Sequence, residues 1–266
     1  MRDTRDMLLV LLSSLLMLTG CSRRDILDDY PVSGVEISLD WNGVTNKLPE
    51  GVRVIFYPKN AEGRKIDTYL SVKGGKVKVP PGRYSVVVYN YDTETVQIRG
   101  EEAYETIEAF TGHCNGLGIA GTEQLVWGPD PLYVVRIDDL KIENSEEELQ
   151  LNWKPKLVVK TYSFKLKVQG LEYVSSIVGS IEGMSSCYDL GLGCGKAGDS
   201  PIYFAARGSA GEVTGSFTVF GTSEGVISRA GNAIKLTLAF VKTDNKVQKM
   251  EVDITEVIAN SESGGS

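Results

Sequence analysis

Alternation of apolar and polar residues constrains this chain more than any other feature. In YSFKLKVQ, Tyr162, Phe164, Leu166 and Val168 fall on one side of an extended backbone, with Lys165, Lys167 and Gln169 on the other. A period of two puts alternate side chains on opposite faces, so such a segment is a strand with one buried and one wet face. AIKLTLAF repeats the pattern with Ile234, Leu236, Leu238 and Phe240 against Lys235 and Thr237. VQKMEVDIT repeats it again with Gln248, Met250, Val252 and Ile254 against Lys249, Glu251 and Asp253. YSVVVYN, Tyr84 to Asn90, is apolar on both faces and belongs in the middle of a sheet or under cover on both sides.

Turn chemistry agrees. VKGGKV sets Gly74 and Gly75 between short alternating segments, which predicts a type I′ hairpin. VPPGRY ends one strand in a proline turn and starts the next at Tyr84. No stretch after Cys21 carries a long helical period. GEEAYETIEAF is the best local candidate, and Thr106 to Phe110 reads equally well as a strand. Two all-β blocks result, at residues 30–153 and 154–260, divided near NSEEELQLNWKP. The acidic run there reads as a linker or a solvated edge strand. Two sandwiches of this size fit the spacing of turn signals, and residues 261–266, ESGGS with its preceding Ser, are a polar, flexible tail.

The chain begins with an address. Arg2 and Arg5 precede twelve mostly apolar residues, Met7 to Leu18, and then Thr19, Gly20 and Cys21. Twelve residues fall short of the roughly 20 that span a hydrocarbon core, but they suit the core of a secretory signal. LTGC resembles the lipobox of bacterial lipoproteins, which implies cleavage after residue 20 and acylation of the Cys21 thiol. Each buried methylene of an acyl chain contributes about 0.8 kcal/mol, so several chains hold a protein at a membrane without spanning it. Residues 21–29 then form a lipidated tether. Ser22 after the cysteine is similar to the outer-membrane sorting choice of Gram-negative lipoproteins. Asp25, Asp28 and Asp29 resemble an acidic surface-export tag, interrupted by Arg23 and Arg24.

The remaining 246 residues are acidic on balance, with a net charge of −7 for the whole chain. A phosphate-binding surface needs a basic stripe, so nucleic acid is not an expected partner. After Cys21 three cysteines remain, Cys114, Cys187 and Cys194. Cys187 and Cys194 bracket six residues, and both a disulfide and two unpaired thiols fit that spacing.

Motifs for chemistry fail their tests. GLGIAG, Gly116 to Gly121, has the glycine spacing of a dinucleotide loop, but Gly128, Pro129 and Pro131 follow where a helix would have to run. His113 is the only histidine, too few partners for a zinc site or a histidine-based nucleophile. The pairs Asp138–Asp139 and Glu101–Glu102 read as strand-end and loop charges rather than as glycosidase acids. Trp41, Trp127 and Trp153 suit either core packing or a sugar-stacking platform. No cofactor, metal or catalytic residue is expected.

VRVIFYP, GGKVKVPPGRYSVVVYNYDTETV and LYVV resemble the N-terminal part of the fimbrillin-like superfamily, and in particular the FimB-type minor subunits and anchors of fimbriae in Gram-negative gut and oral anaerobes. VSSIVGSIEGMSSCYDLGLG, GSFTVFG and KMEVDITEVI are similar to that family's second part, at Gly183-Met184, Phe220-Gly221 and Asp253 with Thr255. The resemblance implies two tandem transthyretin-like β-sandwiches after a lipoprotein signal peptide, no enzymatic activity, and assembly by strand exchange with a pilin-type subunit. Only ANSESGGS follows Ile258, which suits a subunit that receives or caps rather than donates. The expectation is an outer-membrane, surface-exposed lipoprotein that anchors or terminates a fimbria-like filament. The rival readings are a glycan-binding lipoprotein of a polysaccharide-uptake system and an adhesin for host protein.

Overall fold

The computed structural model describes residues 33–60, 63–114, 124–197, 200–221 and 233–263, and these form an all-β protein with one short α-helix. In chain order the first strands are β1 (Ser33–Leu39), β2 (Gly51–Pro58), β3 (Ile66–Ser71), β4 (Gly74–Val79), β5 (Gly82–Asn90), β6 (Val96–Arg99), β7 (Glu108–Thr111), β8 (Val126–Trp127), β9 (Tyr133–Ile142), β10 (Leu149–Trp153) and β11 (Lys156–Leu157). They continue as β12 (Lys160–Lys167), β13 (Val174–Glu182), β14 (Ser185–Asp189), β15 (Cys194–Ala197), β16 (Ile202–Ser209), β17 (Glu212–Val219), β18 (Lys235–Lys242) and β19 (Val247–Asp253), and the helix is α1 (Thr255–Ser263).

An eight-stranded sheet runs β10-β1-β4-β3-β2-β5-β9-β11. It curls, so that Val35 and Ile37 of β1, Phe56 of β2, Val86 of β5, Ile142 of β9 and Trp153 of β10 share one inner core. The expectation for YSVVVYN is met. Tyr84, Val86 and Val88 enter the inner core, while Val87 and Tyr89 enter a second core on the outer face. Continuous apolarity there is the cost of lying between two cores, and each such valine contributes about 1.5–3 kcal/mol on burial.

The second core is covered by a four-stranded sheet, β15-β14-β7-β6. Two of its strands precede residue 153 and two follow it. β7 and β14 are hydrogen-bonded in antiparallel register, with Phe110 opposite Cys187, Ala109 opposite Tyr188 and Glu108 opposite Asp189. Val96, Ile107 and Ala109 from one half and Leu190 and Phe220 from the other meet Ile55, Val87 and Val134. Two shorter pairings add to this seam: β8 runs parallel to β16, and β11 is antiparallel to β9.

The third sheet follows the path β12-β17-β16-β13-β18-β19 around a core built on Ile181, Ile202, Phe204, Phe217, Leu236 and Leu238. Gly179 lies opposite Phe204, and a Cβ there would fall 2.1 Å from the Phe204 ring, so the ring needs a glycine beneath it. Tyr162, Phe164 and Leu166 are half-buried on the same face, as their alternation predicts. Thr237 is buried, unlike the expectation from AIKLTLAF: on β18, which lies between β13 and β19, Leu236 to Phe240 are buried on both faces.

Two local expectations change. The β3–β4 turn falls on Val72 and Lys73, and of the glycine pair only Gly74 is left-handed, at φ 101°. Neither Val72 nor Lys73 has a positive φ, so the turn is not the expected type I′, which needs it at both central residues. A Cβ at Gly74 would lie 2.0 Å from the Ile37 carbonyl oxygen. The second change is α1, which has no helical signature in sequence. Asp253 Oδ1 accepts hydrogen bonds from the Thr255 N–H and hydroxyl, and Thr255 Oγ1 accepts one from the Ile234 N–H. The Asp-x-Thr pattern therefore ends β19, starts α1 and staples both to the start of β18, with Ile258 buried in the core.

Candidate functional site

The outward face of the four-stranded sheet carries a charge network across the seam. Glu108 on β7 accepts from Arg99 on β6, and its other oxygen lies 3.0 Å from Lys196 Nζ on β15. Lys196 also reaches Asp189 Oδ2 on β14 at 2.8 Å, and Asp189 Oδ1 accepts from the Leu192 N–H. Asp189 is only 1% exposed, and Lys196 is the cation beside it. Burial raises the Glu108 pKa, but the hydrogen bonds and charges of Lys196 and Arg99 outweigh it and hold the carboxyl below its ordinary value. Arg136 on β9 donates to the Gly191 carbonyl at 2.6 Å, a second polar link between the halves.

Cys187 and Cys194 lie on this same face, and both are free thiols. Cys187 pairs with Lys196 and Cys194 pairs with Asp189, so the two cysteines are diagonal rather than opposite. Diagonal positions stand about 7–8 Å apart, beyond the reach of a disulfide without backbone movement. Burial pushes the Cys187 thiol pKa up. Cys114 is buried, its N–H donating to the Leu125 carbonyl, and His113 forms a β-bridge with Val126.

A second network fixes the turn at residues 101–106 to the outer face of the large sheet. Arg53 forks to Asp67 at 2.9 and 2.7 Å and to Glu101 at 2.5 and 3.0 Å. Tyr57 and Lys65 both donate to the Glu101 carbonyl, and Tyr89 donates to its carboxylate. Burial pushes the Tyr57 and Tyr89 hydroxyls well up. Tyr104, half-buried and donating to Asp138, is pushed up to about 12.

The carboxylates singled out in sequence are each matched to a cation: Asp138 to Arg136, Asp139 to Arg83 and Lys59, Glu101 to Arg53, and Glu102 to Lys65. Among the described residues no group of three or more His, Cys, Asp or Glu is placed to hold a metal ion. Trp41 and Trp153 pack into the inner core of the large sheet, while Trp127 sits on β8 against Tyr203. The tryptophans therefore make no common platform. Cys21 and Gly116 to Gly121 lie outside the described residues. Among the described residues no helix is long and apolar enough to cross a membrane.

Among the described residues, open sheet edges offer backbone as one candidate interaction surface. β10 and β11 end the large sheet, and β12 and β19 end the third. A strand at a sheet edge offers unpaired N–H and C=O groups to another strand. At the far end of the third sheet, a cleft of about 610 Å³ opens between the loop at Val168–Val174 and the β18–β19 hairpin, lined by Leu171, Phe240 and Met250. Sequence reasoning identified β12 and β19 as strands but not as edges, because pairing order has no local signature.

The family described as "Domain of unknown function (DUF5119)" matches residues 20–205. The chain belongs to that family. It is 62% identical, over 100% of its own length and 84% of the relative's, to a Bacteroides ovatus protein named "Putative fimbrium anchoring subunit Fim4B". The crystal structure of "a putative adhesin" from Bacteroides ovatus matches with a TM-score of 0.82 at 61% identity, covering 91% of this chain and 89% of that one. The fimbrial anchor protein Mfa2 from Porphyromonas gingivalis shares the fold at a TM-score of 0.52 and 11% identity, over 86% of this chain and 83% of its own. This DUF5119 chain is thus similar along its whole length to a fimbrial anchor, as its resemblance to the fimbrillin-like superfamily implies.

Proposed function

We propose that the chain is the anchor, cap or minor subunit of a fimbria-like surface filament. The observation that carries this is identity over the whole chain with a protein named as a fimbrium anchoring subunit. Identity at this level supports retention of a role as well as a fold. The role is structural, without a catalytic step, and the ion-paired carboxylates agree with that.

In this reading residues 1–20 are a signal peptide and Cys21 is acylated in the outer membrane, facing outward. The tether, residues 21–29, leads into β1. Residues 30–153 and 154–260 are two β-sandwich units of transthyretin type, joined through the shared four-stranded sheet. A pilin-type subunit engages an open sheet edge by β-augmentation.

Crosslinking in the native cell, followed by an unboiled gel probed for this protein, tests the proposal. One heavy species or a ladder containing a pilin-like chain is expected. A lone monomer band refutes it. Metabolic labelling with an alkyne fatty acid tests the tether separately, with label expected on the wild type and absent in Cys21→Ala.

A further inference from the structure

The register of β1 against β10 has a mechanical consequence. These strands are parallel, with five residue pairs from Val35 opposite Leu149 to Leu39 opposite Trp153. The pairing extends one step further, where the Asp40 N–H donates to the Trp153 carbonyl at 2.8 Å. Side chains lace the same two strands: Gln150 Nε2 donates to Glu36 Oε2 at 3.0 Å, and Ser38 Oγ donates to the Leu151 carbonyl at 3.2 Å. Val35, Ile37, Leu39 and Trp153 are all buried in the inner core. On its other side β1 is held by β4 over six pairs.

Parallel order decides how this pair meets a load. Ser33 begins β1 at one end of the ladder, while Trp153 ends β10 at the other, where the chain leaves for the second half. A pull that enters at residue 33 and leaves beyond residue 153 is directed along the strands, in opposite senses. Every hydrogen bond of the ladder is then loaded at once. Had β10 been antiparallel to β1, the two loaded ends would lie together and the bonds would open one at a time. Forced unfolding is governed by the unfolding rate, and that rate falls when several bonds must break together.

We propose that β1 and β10 form a shear clamp that bears tension between the N-terminal tether and whatever the second half of the chain holds. This deepens the anchor reading and rests on it for the source of the load. The lacing pairs Glu36–Gln150 and Ser38–Leu151 fit that duty, since they bridge the two strands that a load would slide past each other. The remaining connections between the halves, through the four-stranded sheet, keep the second half attached when force reaches it.

Single-molecule force spectroscopy on the full mature chain tests the clamp. In one geometry the handles sit at the N-terminus and after Ser266. In the other the second handle is inserted between Ser145 and Glu146, next to the start of β10, so that the pull peels the ladder from one end. The expected result is a first rupture at several times higher force in the end-to-end geometry. A second comparison uses the double variant Ser38→Ala, Gln150→Ala, which removes both lacing bonds at the surface and should lower the end-to-end force without lowering the peeling force. Equal rupture forces in the two geometries would overturn the clamp, as would an end-to-end force indifferent to the double variant. Both measurements use purified protein. A clamp found alongside a lone monomer band in cells would therefore retire the anchor reading and leave the clamp standing.

Discussion

Phe220→Ala isolates the coupling between the two halves. Phe220 is 0% exposed and belongs to the second half of the chain, yet its ring fills the core between the large sheet and the four-stranded sheet. Its neighbours there include Ile55, Val87 and Val134 from the first half and Leu190 from its own. The Phe220 N–H donates to the Ser185 carbonyl, which holds the backbone in place when the ring is removed. Emptying such a site costs about 3–5 kcal/mol, the lost transfer energy plus the cavity left behind. For a protein of this size 1 kcal/mol corresponds to about 2–4 °C, so the melting midpoint should fall by about 10 °C. The reporters are Trp41 and Trp153, both in the inner core of the first half, read by fluorescence in a Trp127→Phe background. If the shared sheet makes the halves one cooperative unit, their transition moves down with the far-UV signal. If the tryptophan transition stays at the wild-type midpoint while the far-UV signal splits into two steps, the halves unfold independently and the reasoning fails.

Arg53→Ala breaks both forks, to Asp67 and Glu101, and should cost about 2 kcal/mol, as charged hydrogen bonds of partly buried groups do. Arg53→Lys should recover little of it in thermal denaturation, since an ammonium cannot reproduce two bidentate contacts. Glu108 gives an acid response. Its folded pKa is depressed, so its stabilisation is complete above the unfolded value, about 4.3, and is lost as the pH falls through the lower folded value. Urea midpoints of Glu108→Gln between pH 7 and pH 3 should therefore decline less steeply below about pH 4.3 than those of the wild type, and parallel curves would refute the assignment. Thr255→Val removes the oxygen that accepts from the Ile234 N–H and should cost about 1–2 kcal/mol in urea unfolding, with earlier amide exchange across α1.

Much of the strand content was legible because burial leaves a period-two trace. β12, β18 and β19 stand where YSFKLKVQ, AIKLTLAF and VQKMEVDIT place them. β5 was legible as a doubly covered strand because Val86, Val87, Val88 and Tyr89 leave it no polar face. The charged tip of the first half was harder. GEEAYETIEAF resolves into turns and the short β7, since Arg53 draws Glu101 onto the sheet and closes the turn that a helix would have used. The helix α1 was invisible, because it is set by Asp253 and Thr255 bonding to backbone rather than by an apolar stripe. Least legible was the seam. Nothing in EAF or SSCYD names its partner, and pairing between distant segments is decided by which edge is left open once the local hairpins have formed.

The β7–β14 seam also sets an order of events. β7 is complete once Thr111 has been made, but its partner at Cys187 to Asp189 lies some eighty residues further along the chain. A chain growing or emerging from its N-terminus therefore holds a partly covered apolar face, Ile55, Val87 and Val134, beside a β7 paired only with β6 until the second half arrives. Non-local pairing of this kind folds slowly and leaves sticky surface exposed in the meantime. Of the two cations on the seam's outer face, Arg99 is already in place on β6 during that wait, while Lys196 arrives only with β15. A chaperone that captures this protein in transit has its site defined already: the face that β14 and β15 will later close.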